Sequence, residues 1–275
     1  MHFTTLDGLK LEYTDLGSGT PLLCLAGLTR NLADFDDLLA KRGATARFIC
    51  LTSRGRRGSD FDRDWRHYSI VQESIDALAL IDHLNLPKVT IIGTSRGGLI
   101  ALALAAFAKD RLAGVLFNDV GPVVEPDGIT GILTHLGRNP KFANLAEAGV
   151  GMAEFMSATF PDVSSTRWQV AASRWWVETT KGLEINYDPH LRDAFEAARN
   201  LPPFDLWPLF DALTGIPLAV LRGDNSTILS RATVAEMQFR NPQLIVQQVA
   251  NRGHVPFLDE PDSLAAFDAL LARIA

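Results

Sequence analysis

The chain has 275 residues, 47% of them hydrophobic and 21% charged, with a formal net charge of −6. That is enough apolar material for a large core, and the evenly spread charge leaves no disordered tail to account for. The acidic balance points away from nucleic acid and from anionic membranes as partners. Met1-His2-Phe3-Thr4-Thr5 carries no basic-plus-apolar leader and no apolar run is long enough to span a membrane, so a cytoplasmic protein is expected. Cys24 and Cys50 sit inside apolar runs and read as small buried hydrophobes. Arg54, Arg56, Arg57, Arg63 and Arg66 form the one basic cluster; the interleaved Asp60, Asp62 and Asp64 make it read as a solvated loop.

In chain order, Asp7-Gly8 signals a hairpin turn before Leu9–Tyr13, and Gly17-Ser18-Gly19 ends that strand. Leu22–Ala26 and Arg47–Leu51 read as buried strands, with a short helix near Asp34–Lys41 between them. A helix is predicted over Ile70–Leu84, its apolar face formed by Val71, Ile75, Leu78, Ile81 and Leu84. Lys88–Ile92 is the next strand. Gly98–Phe107 is an Ala/Leu-rich helix apolar on every side, and Leu112–Phe117 is a further strand.

The rhythm breaks at Gly121-Pro122 and resumes near Trp207 with a short helix, a strand over 216–221, a helix near Ala232–Phe239, a strand over 243–249 and a closing helix over 263–274. Alternating β and α elements imply an α/β fold with a mostly parallel, doubly wound sheet. Residues 1–121 and 207–275 are expected to form its core. Residues 122–206, helical and rich in Met, Phe and Trp, are expected to form an inserted lid.

Between Lys88–Ile92 and the following helix stands Gly93-Thr94-Ser95-Arg96-Gly97. Strand, G-x-S-x-G, helix is the context in which a serine is exposed on a sharp turn as a nucleophile. Serine needs a base at neutral pH. Of the six histidines, His254 alone follows the last predicted strand, and strand C-termini of a parallel sheet share one edge, so Ser95 and His254 can meet there.

The chain thereby resembles the α/β-hydrolases. The resemblance rests on Gly93–Gly98, on Gly253-His254 leading to Leu258-Asp259-Glu260-Pro261, and on Arg54-Gly55 to Gly58-Ser59, and it spans nearly everything outside the lid. It implies an oxyanion hole made by the backbone N–H of Arg96 and that of Leu28, with Ala26-Gly27 standing where relatives often carry His-Gly. It places the triad acid after the strand ending at Leu221, where Ser226 and Thr227 occupy the usual positions and Asp224 is the available carboxylate. Some members place it one strand earlier, where Asp119 stands; Asp224 is favoured and Asp119 is the alternative.

A serine at the elbow, in place of aspartate, argues against dehalogenase and epoxide hydrolase chemistry. The expected function is hydrolysis of a small carboxylic ester or lactone through an acyl-enzyme at Ser95, with a small-molecule substrate and no cofactor or metal. The alternatives are a C–C bond hydrolase of diketone-type substrates and a non-catalytic small-molecule-binding protein. Arg30 and Arg96, each beside an expected oxyanion donor, could meet a substrate carboxylate or could form salt bridges.

Overall fold

In the computed structural model of the chain, residues 1–202 and 204–274 are described. Pro203, inside the expected lid range, and Ala275, at the end of the expected core range, lie outside the described residues. The elements are β1 (His2–Thr4), β2 (Lys10–Gly17), β3 (Pro21–Leu25), α1 (Asp36–Arg42), β4 (Arg47–Leu51), α2 (Ile70–His83), β5 (Val89–Thr94), α3 (Arg96–Phe107) and β6 (Leu112–Asn118). There follow α4 (Pro126–Leu133), α5 (Leu145–Phe155), α6 (Ser165–Trp175), β7 (Trp176–Thr179), β8 (Gly182–Ile185) and α7 (Leu191–Arg199). The chain closes with α8 (Trp207–Ala212), β9 (Leu218–Gly223), α9 (Arg231–Arg240), β10 (Ile245–Val249) and α10 (Pro261–Leu271).

Eight strands form one sheet in the order β1-β2-β4-β3-β5-β6-β9-β10. β1, β2 and β4 pair antiparallel, and every pairing from β4 through β3, β5, β6 and β9 to β10 is parallel. The doubly wound, mostly parallel sheet expected from the sequence is therefore the fold. Alternation along each strand divides the core between its two faces. Leu23, Leu25, Ile49, Ile91, Val115 and Val220 pack with α2, α3, α8 and α9. Leu22, Cys24, Cys50, Ile92, Leu116 and Leu221 pack with α1 and α10. Both cysteines are buried and free.

The α2 helix begins as predicted, with Ser69 Oγ accepting from Gln72 N–H (3.1 Å), and Leu78, Ile81 and Leu84 of the predicted face meet the core, but the buried stripe is rotated past Val71 to take in two acids. Val71 is 63% exposed, while Glu73 and Asp76 are buried beside Ala77, Leu80 and Ile81. Periodicity cannot reveal a core-facing stripe that includes carboxylates, because it counts only apolar side chains.

Between β6 and β9 the helices α4 to α7 were anticipated, and the antiparallel hairpin β7–β8 was not. Its strands, Trp176–Thr179 and Gly182–Ile185, are short and partly polar and carry no buried-strand signature. Phe142, Phe160, Trp168, Trp175 and Trp176 of this stretch cluster together, whereas Phe155 and Phe204 are exposed. Phe160 and Trp168 are buried and pack edge to face at 5.2 Å, and both contact Phe257 of the chain after β10. Among the described residues no helix is long and apolar enough to cross a membrane.

Candidate active site

The parallel strands β3, β5, β6 and β9 end along one edge of the sheet, and the site is built there. Between the end of β5 at Thr94 and the start of α3 at Arg96, Ser95 alone turns the chain, at φ +50° and ψ −113°. That backbone conformation is strained for any L residue. A Cβ on Gly97 would overlap the Leu25 carbonyl oxygen, and one on Gly93 would stand 2.6 Å from the Gly98 nitrogen, so only glycine lets the turn close. Ser95 N–H donates to the Asn118 carbonyl at 3.0 Å. The Asn118 side-chain amide donates to Thr94 Oγ1 (3.2 Å) and to the Pro256 carbonyl (3.1 Å). One buried asparagine thus ties the elbow, β6 and the segment after β10 together.

His254 joins two side chains that are distant in sequence. Its Nε2 lies 2.8 Å from Ser95 Oγ, and its Nδ1 lies 2.8 Å from Asp119 Oδ2. An ionised carboxylate only accepts, so Nδ1 carries the proton and Nε2 presents its lone pair to the serine hydroxyl.

Asp119 follows β6 at φ +56° and is fully buried. Its Oδ1 accepts from Gly223 N–H (2.9 Å), and its Oδ2 accepts from Ser226 Oγ (2.6 Å) as well as from His254. The carboxylate favoured from sequence is not in this relay. Asp224 stands at the rim, with 36% of its side chain exposed and Arg231 at 3.5 Å as its ion partner. The cause lies in the loop after β9. Where an acid would extend from that loop it carries Ser226, whose hydroxyl solvates the carboxylate arriving from β6 and accepts from Ile228 N–H (3.2 Å) and Leu229 N–H (3.1 Å).

The two expected oxyanion donors flank Ser95. Arg96 N–H is the first amide of α3 and has no partner within the helix. Leu28 follows Gly27, on which a Cβ would stand 3.9 Å from Ser95 Cβ, so this loop borders the serine. Arg56 Nε donates to the Leu28 carbonyl at 2.9 Å and fixes the loop at that residue. Arg56 Nη1 also donates to Glu73 Oε1 (2.8 Å), and the Arg96 guanidinium grips both oxygens of the same carboxylate (2.8 and 3.0 Å). Burial works to raise the Glu73 pKa, but Arg56 and Arg96 outweigh it and hold the carboxyl below its ordinary value. Glu73 of α2 therefore anchors the side chains beside both expected donors, a role that a lone acid in a helical pattern did not announce.

The expectation of a solvated basic loop holds for Arg57, Arg63 and Arg66, which are exposed, and is corrected by the same helix for Arg54 and Arg56. Arg54 and Arg56 are fully buried, because α2 presents Asp76 to Arg54 (2.6 and 2.7 Å) and Glu73 to Arg56. Arg54 also bridges Asp7 and Asp62, filling the space between them with its own charge. Of the two arginines considered for a substrate carboxylate, Arg96 is committed to Glu73. Among the described residues Arg30 has no such ion pair: it lies over the face of Trp175, 3.3 Å from the ring centroid. An open cleft of about 650 Å³, bordered by Arg57, Asn139, Asn186 and Tyr187, lies apart from these groups; Ser95, Asp119 and His254 do not line it.

The chain matches the sequence profile of the alpha/beta hydrolase family over residues 22–267. It is 34% identical over 262 residues to the 3-hydroxybutyrate-oligomer hydrolase of Cupriavidus necator, covering 92% of this chain and 89% of that protein. It is 24% identical over 248 residues to the 2-(acetamidomethylene)succinate hydrolase of Mesorhizobium japonicum, covering 90% of this chain and 85% of that protein. The crystal structure of an alpha/beta hydrolase from Novosphingobium aromaticivorans superposes with a TM-score of 0.93 at 38% identity, over 99% of this chain and 97% of the other. Fold, strand order and sequence agree, and the chain belongs to the α/β-hydrolase family.

Proposed function

We propose that the protein is a serine hydrolase that cleaves a small carboxylic ester through an acyl-enzyme at Ser95. The observation that carries this reading is the continuous relay Ser95–His254–Asp119, each link 2.8 Å. Ser95 Oγ attacks the ester carbonyl while His254 Nε2 takes its proton, and the buried Asp119 stabilises the imidazolium that results. The backbone N–H groups of Arg96 and Leu28 are the donors assigned to the oxygen of the tetrahedral intermediate as it gathers negative charge; each such donor is worth roughly 3–4 kcal/mol of the barrier. His254 then returns the proton to the departing alcohol, and water activated by the same imidazole releases the acid and restores Ser95.

The relative that acts on 3-hydroxybutyrate oligomers supports a hydroxyacid ester as the substrate class. Against the non-catalytic reading stands the buried carboxylate of Asp119 at hydrogen-bond distance from His254. C–C bond hydrolysis would use the same three side chains, and no group in the site favours it.

The test is direct. Wild type is expected to take up a fluorophosphonate label and to hydrolyse p-nitrophenyl butyrate and the linear 3-hydroxybutyrate dimer, and Ser95→Ala to do none of these. Labelling without turnover on any ester, or turnover that survives Ser95→Ala, would overturn the assignment.

A further inference from the structure

The loop after β3 turns back on itself, Arg30 N–H donating to the Gly27 carbonyl at 3.1 Å. This brings the Arg30 stem over Gly27. A Cβ on Gly27 would lie 3.4 Å from Arg30 Cγ and 3.9 Å from Ser95 Cβ, so the arginine and the serine border the same point. The guanidinium then lies on the indole of Trp175, which α6 delivers and whose Nε1 donates to Asp34 Oδ1 at 3.2 Å.

The buried Arg54 and Arg56 and the half-buried Arg96 and Arg174 have carboxylate partners: Arg54 with Asp76, Arg56 and Arg96 with Glu73, and Arg174 with Asp37. Among the described residues, no carboxylate lies within the 4.0 Å ion-pair distance of Arg30. The groups that feel its charge are Asp34, Tyr187 and His135. Burial pulls the Arg30 pKa down to about 10, and it pushes that of Asp34 up despite Arg30. Among the described residues the guanidinium of Arg30 over Trp175 makes no side-chain hydrogen bond, and guanidinium N–H groups match a carboxylate two to two.

We propose that Arg30 binds a free carboxylate of the substrate, so that the site selects short esters that end in an acid over their neutral counterparts. This rests on the ester-hydrolase reading and adds the feature by which that enzyme chooses among esters. Trp175 holds the plane of the guanidinium before the substrate arrives, and the incoming carboxylate supplies the counter-charge that the fold withholds.

The experiment compares the linear 3-hydroxybutyrate dimer with its terminal carboxamide, the same ester without the charge, in wild type, Arg30→Gln and Arg30→Lys. Wild type is expected to prefer the acid. The ratio of kcat/KM for acid over amide is expected to fall about 10- to 100-fold in Arg30→Gln, carried by KM, with partial retention in Arg30→Lys. Butyrate, with butyramide as control, is expected to inhibit wild-type hydrolysis of p-nitrophenyl acetate, which reads the same site without any variant. An unchanged acid-to-amide ratio, or equal inhibition by butyrate and butyramide, overturns the proposal and leaves the hydrolase assignment standing. A wild type that hydrolyses none of these esters overturns the hydrolase assignment and, with it, this one.

Discussion

Two neighbouring strands, β6 and β9, are each followed at once by an aspartate at the same edge of the sheet, yet the two side chains have opposite fates. Asp119 is fully buried and receives three hydrogen bonds, while Asp224 sits at the rim facing Arg231 at 3.5 Å. What separates them is supply of donors, since a carboxylate can leave water only where donors replace it. The β9 loop spends Ser226 Oγ and Gly223 N–H on the acid of the neighbouring strand. The loop after one strand can thus supply the donors that let the carboxylate of its neighbour be buried.

The largest effect should come from the acid itself. Asp119→Asn is expected to lower kcat on the order of 10³- to 10⁴-fold, because the amide can present the wrong partner to His254 Nδ1. Asp224→Asn should change kcat by less than about twofold, its ion pair being exposed. Equal losses in the two variants would erase the distinction.

Glu73 tests whether burial with full pairing extends to the side chains beside the proposed oxyanion donors. Glu73→Gln leaves the Arg56 guanidinium buried without its counter-charge and should cost about 3–5 kcal/mol of stability, read as a lower urea midpoint. The sign with pH follows from the direction of the shift. The folded-state pKa of Glu73 is depressed below its ordinary value of 4.5, so its stabilisation is present above that pH and is lost as pH falls through the folded value. Stability should thus fall less steeply with acid in Glu73→Gln than in wild type. Parallel acid limbs would refute the pairing.

Returning the acid to the β9 loop sharpens the comparison further. Because Ser226 Oγ lies 2.6 Å from Asp119 Oδ2, the double variant Asp119→Asn/Ser226→Asp should recover about tenfold in kcat over Asp119→Asn alone. No recovery would mean that the β9 loop cannot aim a carboxylate at His254. The smallest effect is expected of Ser226→Ala, which removes one donor to a buried charge: about 1.5–3 kcal/mol of stability, seen in thermal unfolding, with kcat reduced by about tenfold or less.

The parts of the site that were legible before any coordinates are those set by local chain geometry. Gly93 and Gly97 around Ser95, between an apolar strand and an apolar helix, prescribe the turn, and His254 after the last strand lands within hydrogen-bond reach. The acid was not legible, because Asp119 and Asp224 present the same local signal, an aspartate just past a strand. The buried ion pairs were hidden for a related reason. Arg54 and Arg56 looked solvated beside the acids of their own loop, and the carboxylates that bury them come from α2. Arg30 and Arg96 were likewise equivalent on paper; Glu73 claims one and not the other.

By itself the sequence determined the sheet, its direction and the nucleophile's turn, because strand alternation, helix composition and glycine backbone freedom act between residues close along the chain. The tertiary structure alone decided which carboxylate serves His254 and which arginine keeps an unpaired charge. Both depend on donors and counter-charges brought in from other elements, and burying a charge is governed by what surrounds it in space.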